Sequence, residues 1–268
     1  MDALRPLDDL HNKIVRTARH LRESRTARER AGQAVLEGPH LVLDALAAGV
    51  RMRAVLYSRR LLDRPDGPAL LRRLMGGAVR SVYVTDRVLD HVVDVETHQG
   101  IVAVADLTVP LTGTLRGPRV VVANAIQDPG NLGTLIRAAA AFGFRVHLTE
   151  GTVDPLNPKS LRASAGGFFR VDLARLRPDW TAEPGLYLVL ADPAGDMVYA
   201  DWDWRRPTAL VVGNEGGGIA PEVARRAAVR LAVPMEPGFD SLNAAVAAAV
   251  IMADAYRRGR QLPAAGPA

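Results

Sequence analysis

The 268-residue chain has no cysteine, and only two of its basic residues, Lys13 and Lys159, are lysines. Without cysteine there is no disulfide framework and no thiolate metal site. The six histidines, His11, His20, His40, His91, His98 and His147, lack the spacing of metal ligands, so no metal is expected. No apolar run is long enough to span a bilayer; the longest, residues 242–253, is already broken by Asn243. The opening MDALRPLDDL lacks the basic stretch and apolar core of a signal peptide, so the chain reads as cytoplasmic, with no membrane partner.

What is present is ordinary for a soluble globular protein: 48% hydrophobic residues against 24% charged. This length can bury one large core or two medium ones, and two suit it better. A net charge of +5 and a pI near 10.0 lean towards an anionic partner. Almost all of the positive charge is arginine, a bias that GC-rich coding alone can produce.

Residues 12–30 carry arginine at 16, 19, 22, 25 and 28, a stripe that drifts slowly round a helix. It is either a solvated face with Glu23 and Glu29 as internal partners, or an edge that tracks phosphates. From residue 33 strands and helices alternate until GIVAVAD closes a compact α/β unit near residue 106. The segment 107–118, LTVPLTGTLRGP, reads as a linker. A second α/β unit over 119–262 opens with the doubly buried strand RVVVANA and continues through FRVHLT, FFRVDL, GLYLVLAD, TALVVGN and RLAVPM to an alanine-rich helix. Residues 263–268 form a tail. The pattern implies a mostly parallel sheet covered on both faces, with ligands at the carboxyl ends of its strands.

Three loops fall at such ends. QDPGNLG (127–133) leads into a helix for which Asn131 looks like the N-cap and Gly143 the left-handed stop. That helix is apolar nearly all round and so is expected to be buried, yet it carries Arg137. A buried guanidinium is costly unless a side chain or a substrate meets it. The second loop, GNEGGG (213–218), contains Asn214 and Glu215 and fits neither a Walker A nor a dinucleotide fingerprint. It is either a tight turn or a place where a flat ligand approaches the backbone. The third, VPMEPGFDSLN (233–243), delivers Ser241 and Asn243 to the start of the last helix, where such residues most often act as caps.

In this order NLGTLIR, GNEGGG and VPM…SLN resemble the three signature motifs of the SpoU (TrmH-like) ribose 2′-O-methyltransferases of the SPOUT superfamily. The segment GTVDPLNPKSLRASAGGFF resembles its ribosomal-RNA members, and VLEGPHLVLDALAAG to THQGIVAVAD resembles their L30e-like accessory domain. The likeness spans nearly the whole chain. It implies a C-terminal α/β-knot with an N-terminal RNA-binding domain over 1–106, S-adenosylmethionine as methyl donor, and a homodimer. It assigns Asn131, Arg137, Glu215, Ser241 and Asn243 to catalysis, and Gly213, Asn214, Val233, Pro234, Met235 and Leu242 to the cofactor. Arg16, Arg19, Arg22, Arg25, Lys159 and Arg162 are the expected RNA contacts. There are departures. Pro237 stands where many relatives have glycine, and Asn243 is followed by Ala244-Ala245 where relatives often read Val-Ser. Ribosomal RNA is the expected substrate. The same reaction on tRNA, and a non-catalytic RNA-binding or ribosome-assembly protein on the same fold, are the alternatives.

Overall fold

In the computed structural model, which describes residues 5–76, 79–214 and 216–260, the arginine-rich stretch is two helices. α1 (Lys13–Glu23) is capped by Asn12, whose side chain accepts from the Ile14 N–H; α2 (Arg25–Ala31) is capped by Ser24, which accepts from Ala27. Val15, Ala18 and Leu21 recur every three residues and bury one face of α1. β1 (Gln33–Glu37), α3 (Pro39–Ala47), β2 (Met52–Tyr57), α4 (Arg59–Leu62), α5 (Gly67–Gly76), β3 (Arg80–Tyr83), α6 (Asp86–Val92) and β4 (Ile101–Asp106) follow. They build a four-stranded sheet of order β1-β4-β2-β3, in which only β2 and β3 run parallel. α1 and α6 pack over it through Val15, Leu21, Val88, Leu89 and Val92.

The next elements are β5 (Leu111–Leu115), β6 (Arg119–Ala123), α7 (Pro129–Phe142), β7 (Arg145–Leu148), α8 (Pro158–Ala163), β8 (Leu173–Ala182), β9 (Tyr187–Ala191), β10 (Met197–Val198), β11 (Thr208–Val212), α9 (Pro221–Ala224), β12 (Val229–Ala232) and α10 (Ala244–Arg260). Eight strands form one sheet of order β10-β12-β9-β11-β6-β7-β8-β5, and every neighbouring pair is parallel. β6 and β11, the apolar runs VVVA and TALVV, sit at its centre and are buried on both faces. The chain lays β6, β7 and β8 to one side and β9 to the other, so the β6–β11 boundary is a topological switch point.

Contacts divide the chain differently from its order. Residues up to Thr108 group with Asp154–Phe169, while Val109–Val153 group with the remainder. The returning segment is tied into the first unit by Arg28, which is 3% exposed. Arg28 donates to the Asp154 carboxylate at 2.7 Å and to the carbonyls of Leu21 and Arg22. Arg162 of α8 pairs with Glu37 of β1.

Three expectations need correction. Residues 107–118 are not a plain linker, because β5 lies within them and pairs with β8 as an edge strand; threonines favour the pleat, and an edge tolerates Pro110 before it. FFRVDL is not one strand: Phe168 and Phe169 lie in a 3₁₀ turn, Gly167–Arg170, with Phe168 buried in the first unit, and β8 begins at Leu173. α7 is not buried all round. Leu132, Leu135, Ile136 and Ala139 are buried, but Thr134, Arg137 and Ala141 form an exposed stripe. Alanine counts as apolar in a pattern yet has little surface to gain from burial. The expected 263–268 tail lies outside the described residues.

Candidate active site

α7 begins immediately beyond the carboxyl end of β6. Its N-cap is Asp128, not Asn131: the Asp128 side chain accepts from the Asn131 N–H at 2.8 Å, and Pro129 occupies the first turn, where its missing N–H costs nothing. Gly143 at φ +71° closes the helix. Because Asp128 does the capping, the Asn131 side chain is available elsewhere, and its Oδ1 accepts from Asn243 Nδ2 at 2.9 Å. Asn243 in turn caps α10, with its Oδ1 accepting from the N–H groups of Ala245 and Val246. One amide thus fixes the start of the last helix and reaches across to the first turn of α7. Loops one and three, 112 residues apart in sequence, are locked together by it.

The second loop is closed on itself. Asn214 and Gly218 exchange backbone hydrogen bonds of 3.0 and 2.8 Å, and Gly218 takes φ +63°. A Cβ on Gly213 would stand 2.5 Å from the Gly218 carbonyl oxygen, so only glycine fits. Buried Asn124, just after β6, donates to Thr149 Oγ1 and accepts from the Ala220 N–H, pinning this loop to the centre of the sheet. Next to it Ala125 holds a left-handed backbone, φ 54°, at the same strand end. Such strain in a non-glycine residue is characteristic of functional turns.

Between these loops, at the carboxyl ends of β9, β11 and β12, lies a cavity of about 390 Å³. Gly213, Asn214, Val233, Met235, Ser241 and Leu242 line it. Pro234 does not: it is exposed, because an extended chain turns alternate residues to opposite sides and Val233 and Met235 point inward. A smaller cavity of about 210 Å³ adjoins it, sharing Gly213, Asn214 and Ala244 and adding Ile126, Asp128 and Asn131. Arg137 lines neither. It stands on the exposed stripe of α7 and has no acidic partner among the described residues. Glu215 lies outside the described residues. Among those described, no three His, Cys, Asp or Glu side chains come together as a metal site.

The predicted RNA contacts scatter. Arg16 is exposed; Arg19 pairs with Glu23 and Arg25 with Glu29, each at 2.9 Å. Half-buried Arg22 reaches Glu23 and the Val93 carbonyl. Lys159 is exposed, while Arg162 is held by Glu37 and Asp94. The pattern in sequence missed Asn124, Asp128 and a fourth loop carrying Asp192, which lines the large cavity. The only available signal for the last was its place after the apolar strand YLVLA, at a carboxyl end.

The SpoU rRNA Methylase family profile matches residues 118–253. The chain belongs to that family. A second profile, the MRM3-like substrate binding domain, matches residues 12–103. An uncharacterized tRNA/rRNA methyltransferase of Synechocystis is 32% identical, with 92% of each chain covered. The 23S rRNA (guanosine(2553)-2′-O)-methyltransferase RlmP of Bacillus subtilis is 29% identical, with 93% of this chain and 98% of that one covered. The crystal structure of the SpoU methyltransferase AviRb from Streptomyces viridochromogenes, in complex with AdoMet, superposes with a TM-score of 0.79 at 26% identity, over 92% of this chain and 99% of that one. The SPOUT α/β-knot fold with an N-terminal substrate-binding domain is therefore the fold of this family member.

The cavity fits S-adenosylmethionine. Its volume lies in the range of small-molecule pockets. Val212, Ile219 and Leu231 offer apolar walls for a flat ring. Gly213 brings bare backbone to the surface, and Asp192, Asn214 and Ser241 supply polar groups at the margin.

Proposed function

We propose that this protein methylates a ribose 2′-hydroxyl of ribosomal RNA, with S-adenosylmethionine as donor. The observation that carries this reading is the pair of adjoining cavities at the switch point, one suited to the cofactor and one walled by Asn131, with Gly213 and Asn214 common to both. The cofactor supplies an electrophilic sulfonium methyl group. The chain supplies positioning and charge. A ribose hydroxyl is a poor nucleophile. As its oxygen bonds to the methyl carbon, the carbon–sulfur bond breaks and takes its electron pair to sulfur, and the hydroxyl proton passes to water or a neighbouring RNA phosphate. Negative charge develops on the oxygen to the extent that the proton leaves first. Arg137, exposed on α7 and without an acid among the described residues, is the side chain assigned here to meet that oxygen or an adjacent phosphate. An arginine side chain stays protonated in proteins, so its role is to stabilise charge and not to remove the proton. Removing such a donor costs roughly 2.7–4 kcal/mol, a factor of 10²–10³ in rate. Asn131, held by Asn243, orients the ribose; Ser241 closes the cofactor side.

A homodimer belongs to the same proposal. Around the third loop and α10, Phe239, Leu242 and Val246 are 70%, 37% and 45% exposed. These apolar side chains suit cover by a second copy.

The test is transfer of label from S-adenosylmethionine to ribosomal RNA and, separately, to tRNA, by wild type and Arg137→Ala, with products digested to nucleosides. Ribose 2′-O-label in ribosomal RNA, reduced at least a hundredfold in the variant, is expected. Label on a base, or in tRNA alone, would overturn the assignment.

A further inference from the structure

Among the described residues that line the cofactor cavity, only two carry charge: Asp192, directly after β9, and Arg230 of β12. The loop that begins at Asp192 is held firmly. The Asp192 N–H donates to the Leu231 carbonyl and its carbonyl accepts from the Gly195 N–H, both at 3.0 Å. Its Oδ1 accepts from the Ala194 N–H at 2.8 Å. The loop lies hard against β12, where a Cβ on Gly195 would stand 2.7 Å from the Ala232 nitrogen. Arg230 grips the far end through Nε and Nη2, which donate to Asp196 at 3.0 and 2.7 Å, and its Nη1 stands 3.7 Å from Asp192 Oδ2. A carboxylate has about four acceptor sites, of which the Ala194 N–H takes one. A fixed carboxylate with acceptors to spare thus lines the cavity.

Position and chemistry select the cofactor group that it meets. The methyl group has to reach the smaller cavity, which shares Gly213, Asn214 and Ala244 with the larger one and lies towards Asn131, beyond β6. β9 and β12 lie on the opposite side of β11 from β6. There Leu190, Leu231 and Val233 give apolar walls, which suit the adenine ring and not the zwitterionic methionine end. The donors of the adenosyl half are the two ribose hydroxyls and the adenine amino group. The Asp192 side chain is 29% exposed, at the margin of the cavity and not on its apolar floor, and two carboxylate oxygens match a vicinal pair of hydroxyls. Carboxylates hold ribose in dinucleotide sites by the same bond. An ammonium in this place would stand beside the Arg230 guanidinium, like charge against like.

We infer that Asp192 is a cofactor-binding residue whose carboxylate accepts from the ribose hydroxyls of S-adenosylmethionine. The inference rests on the cofactor reading above and is independent of which RNA is methylated. Asp192→Asn keeps an oxygen for the Ala194 N–H, and with it the turn, but its other terminal atom donates where the carboxylate accepts. Loss of hydrogen bonds to a charged group sets the expected drop in affinity at roughly 10–100-fold.

The experiment measures, by calorimetry, binding to wild type and Asp192→Asn of S-adenosylhomocysteine, its 2′-deoxy and 3′-deoxy analogues, and 5′-methylthioadenosine, which lacks the amino-acid end. Wild type should bind each deoxy analogue roughly tenfold or more weakly than the parent, and the variant should bind all three about alike. The substitution should weaken 5′-methylthioadenosine as much as S-adenosylhomocysteine. Equal affinity of wild type for the parent and both deoxy analogues would overturn the inference, whatever the folding of the variant. So would a substitution that weakens S-adenosylhomocysteine but not 5′-methylthioadenosine, the mark of a carboxylate on the ammonium. A wild type that binds none of the four compounds would sink the cofactor reading itself, and this inference with it.

Discussion

Asn243 makes two separable contributions, and a pair of substitutions should pull them apart. Its Oδ1 accepts from the Ala245 and Val246 N–H groups; its Nδ2 donates to Asn131. Asn243→Ala removes both. Loss of the cap costs about 1 kcal/mol. Loss of the bridge adds roughly 0.5–1.5 kcal/mol. At roughly 2–4 °C per kcal/mol for a domain of this size, Tm falls by about 5 °C. Asn243→Asp keeps acceptors for both backbone groups and places a negative charge at a helix N-terminus, worth about 0.3–1 kcal/mol in its favour. It has no N–H to offer Asn131 Oδ1. The lost bridge, roughly 0.5–1.5 kcal/mol, offsets that gain, so its Tm should lie close to that of wild type and above that of the alanine variant, while methyl transfer falls as far as in the alanine variant. Asn243 does not line the cofactor cavity, so calorimetric affinity for S-adenosylmethionine should be unchanged in both. Differential scanning fluorimetry and labelled transfer, run side by side, decide the matter. Full activity in the aspartate variant would refute the claim that the bridge orients the site.

Gly213→Ala should weaken S-adenosylmethionine binding by roughly tenfold or more, because the added Cβ meets the Gly218 carbonyl; Gly216→Ala, with open space around it, should not. Equal affinities would show that the loop yields. Arg28→Ala leaves Asp154, 4% exposed, without its counter-charge and should cost about 3–5 kcal/mol in denaturant unfolding. Arg28→Met with Asp154→Leu should recover much of that loss; a double variant worse than either single one would contradict it. His147 on β7 is held neutral by burial, its pKa lowered from 6.5 to about 4. The unfolded chain takes up that proton first, so stability is whole above pH 6.5 and falls by about 3 kcal/mol on the way to pH 4. His147→Leu should flatten that part of the urea-derived pH profile, and an unchanged slope would refute the attribution.

Where the sequence spoke clearly, it did so through long-range periodicity and through glycine. The apolar runs VVVA and TALVV became the doubly buried centre of the sheet, and the loops at 213–218 and 233–243 came to one cavity as their positions after strands implied. Asn131 was misread because asparagine and aspartate cap equally well. Which of Asp128 and Asn131 does so depends on where the chain leaves β6. Arg137 was misjudged for a related reason: an alanine helix looks buried on every side until a neighbour chooses its face. β5 was hidden in a Pro-, Gly- and Thr-rich stretch, since pairing with β8, far along the chain (Leu111 opposite Arg175), leaves no local mark. The partnership of Arg28 with Asp154 spans 126 residues and was equally silent.

That last partnership has a practical meaning. The first unit is not a continuous length of polypeptide, for the chain leaves it at Thr108, returns at Asp154 and departs again after Phe169. A fragment cut at the first crossing would keep Arg28 and lose the carboxylate that balances it. The complementary fragment would carry Leu156, Leu161 and Phe168, all buried in the intact chain, as bare apolar surface. The first unit cannot be exchanged between relatives as a simple N-terminal cassette. A working chimera has to transplant residues 154–169 along with it.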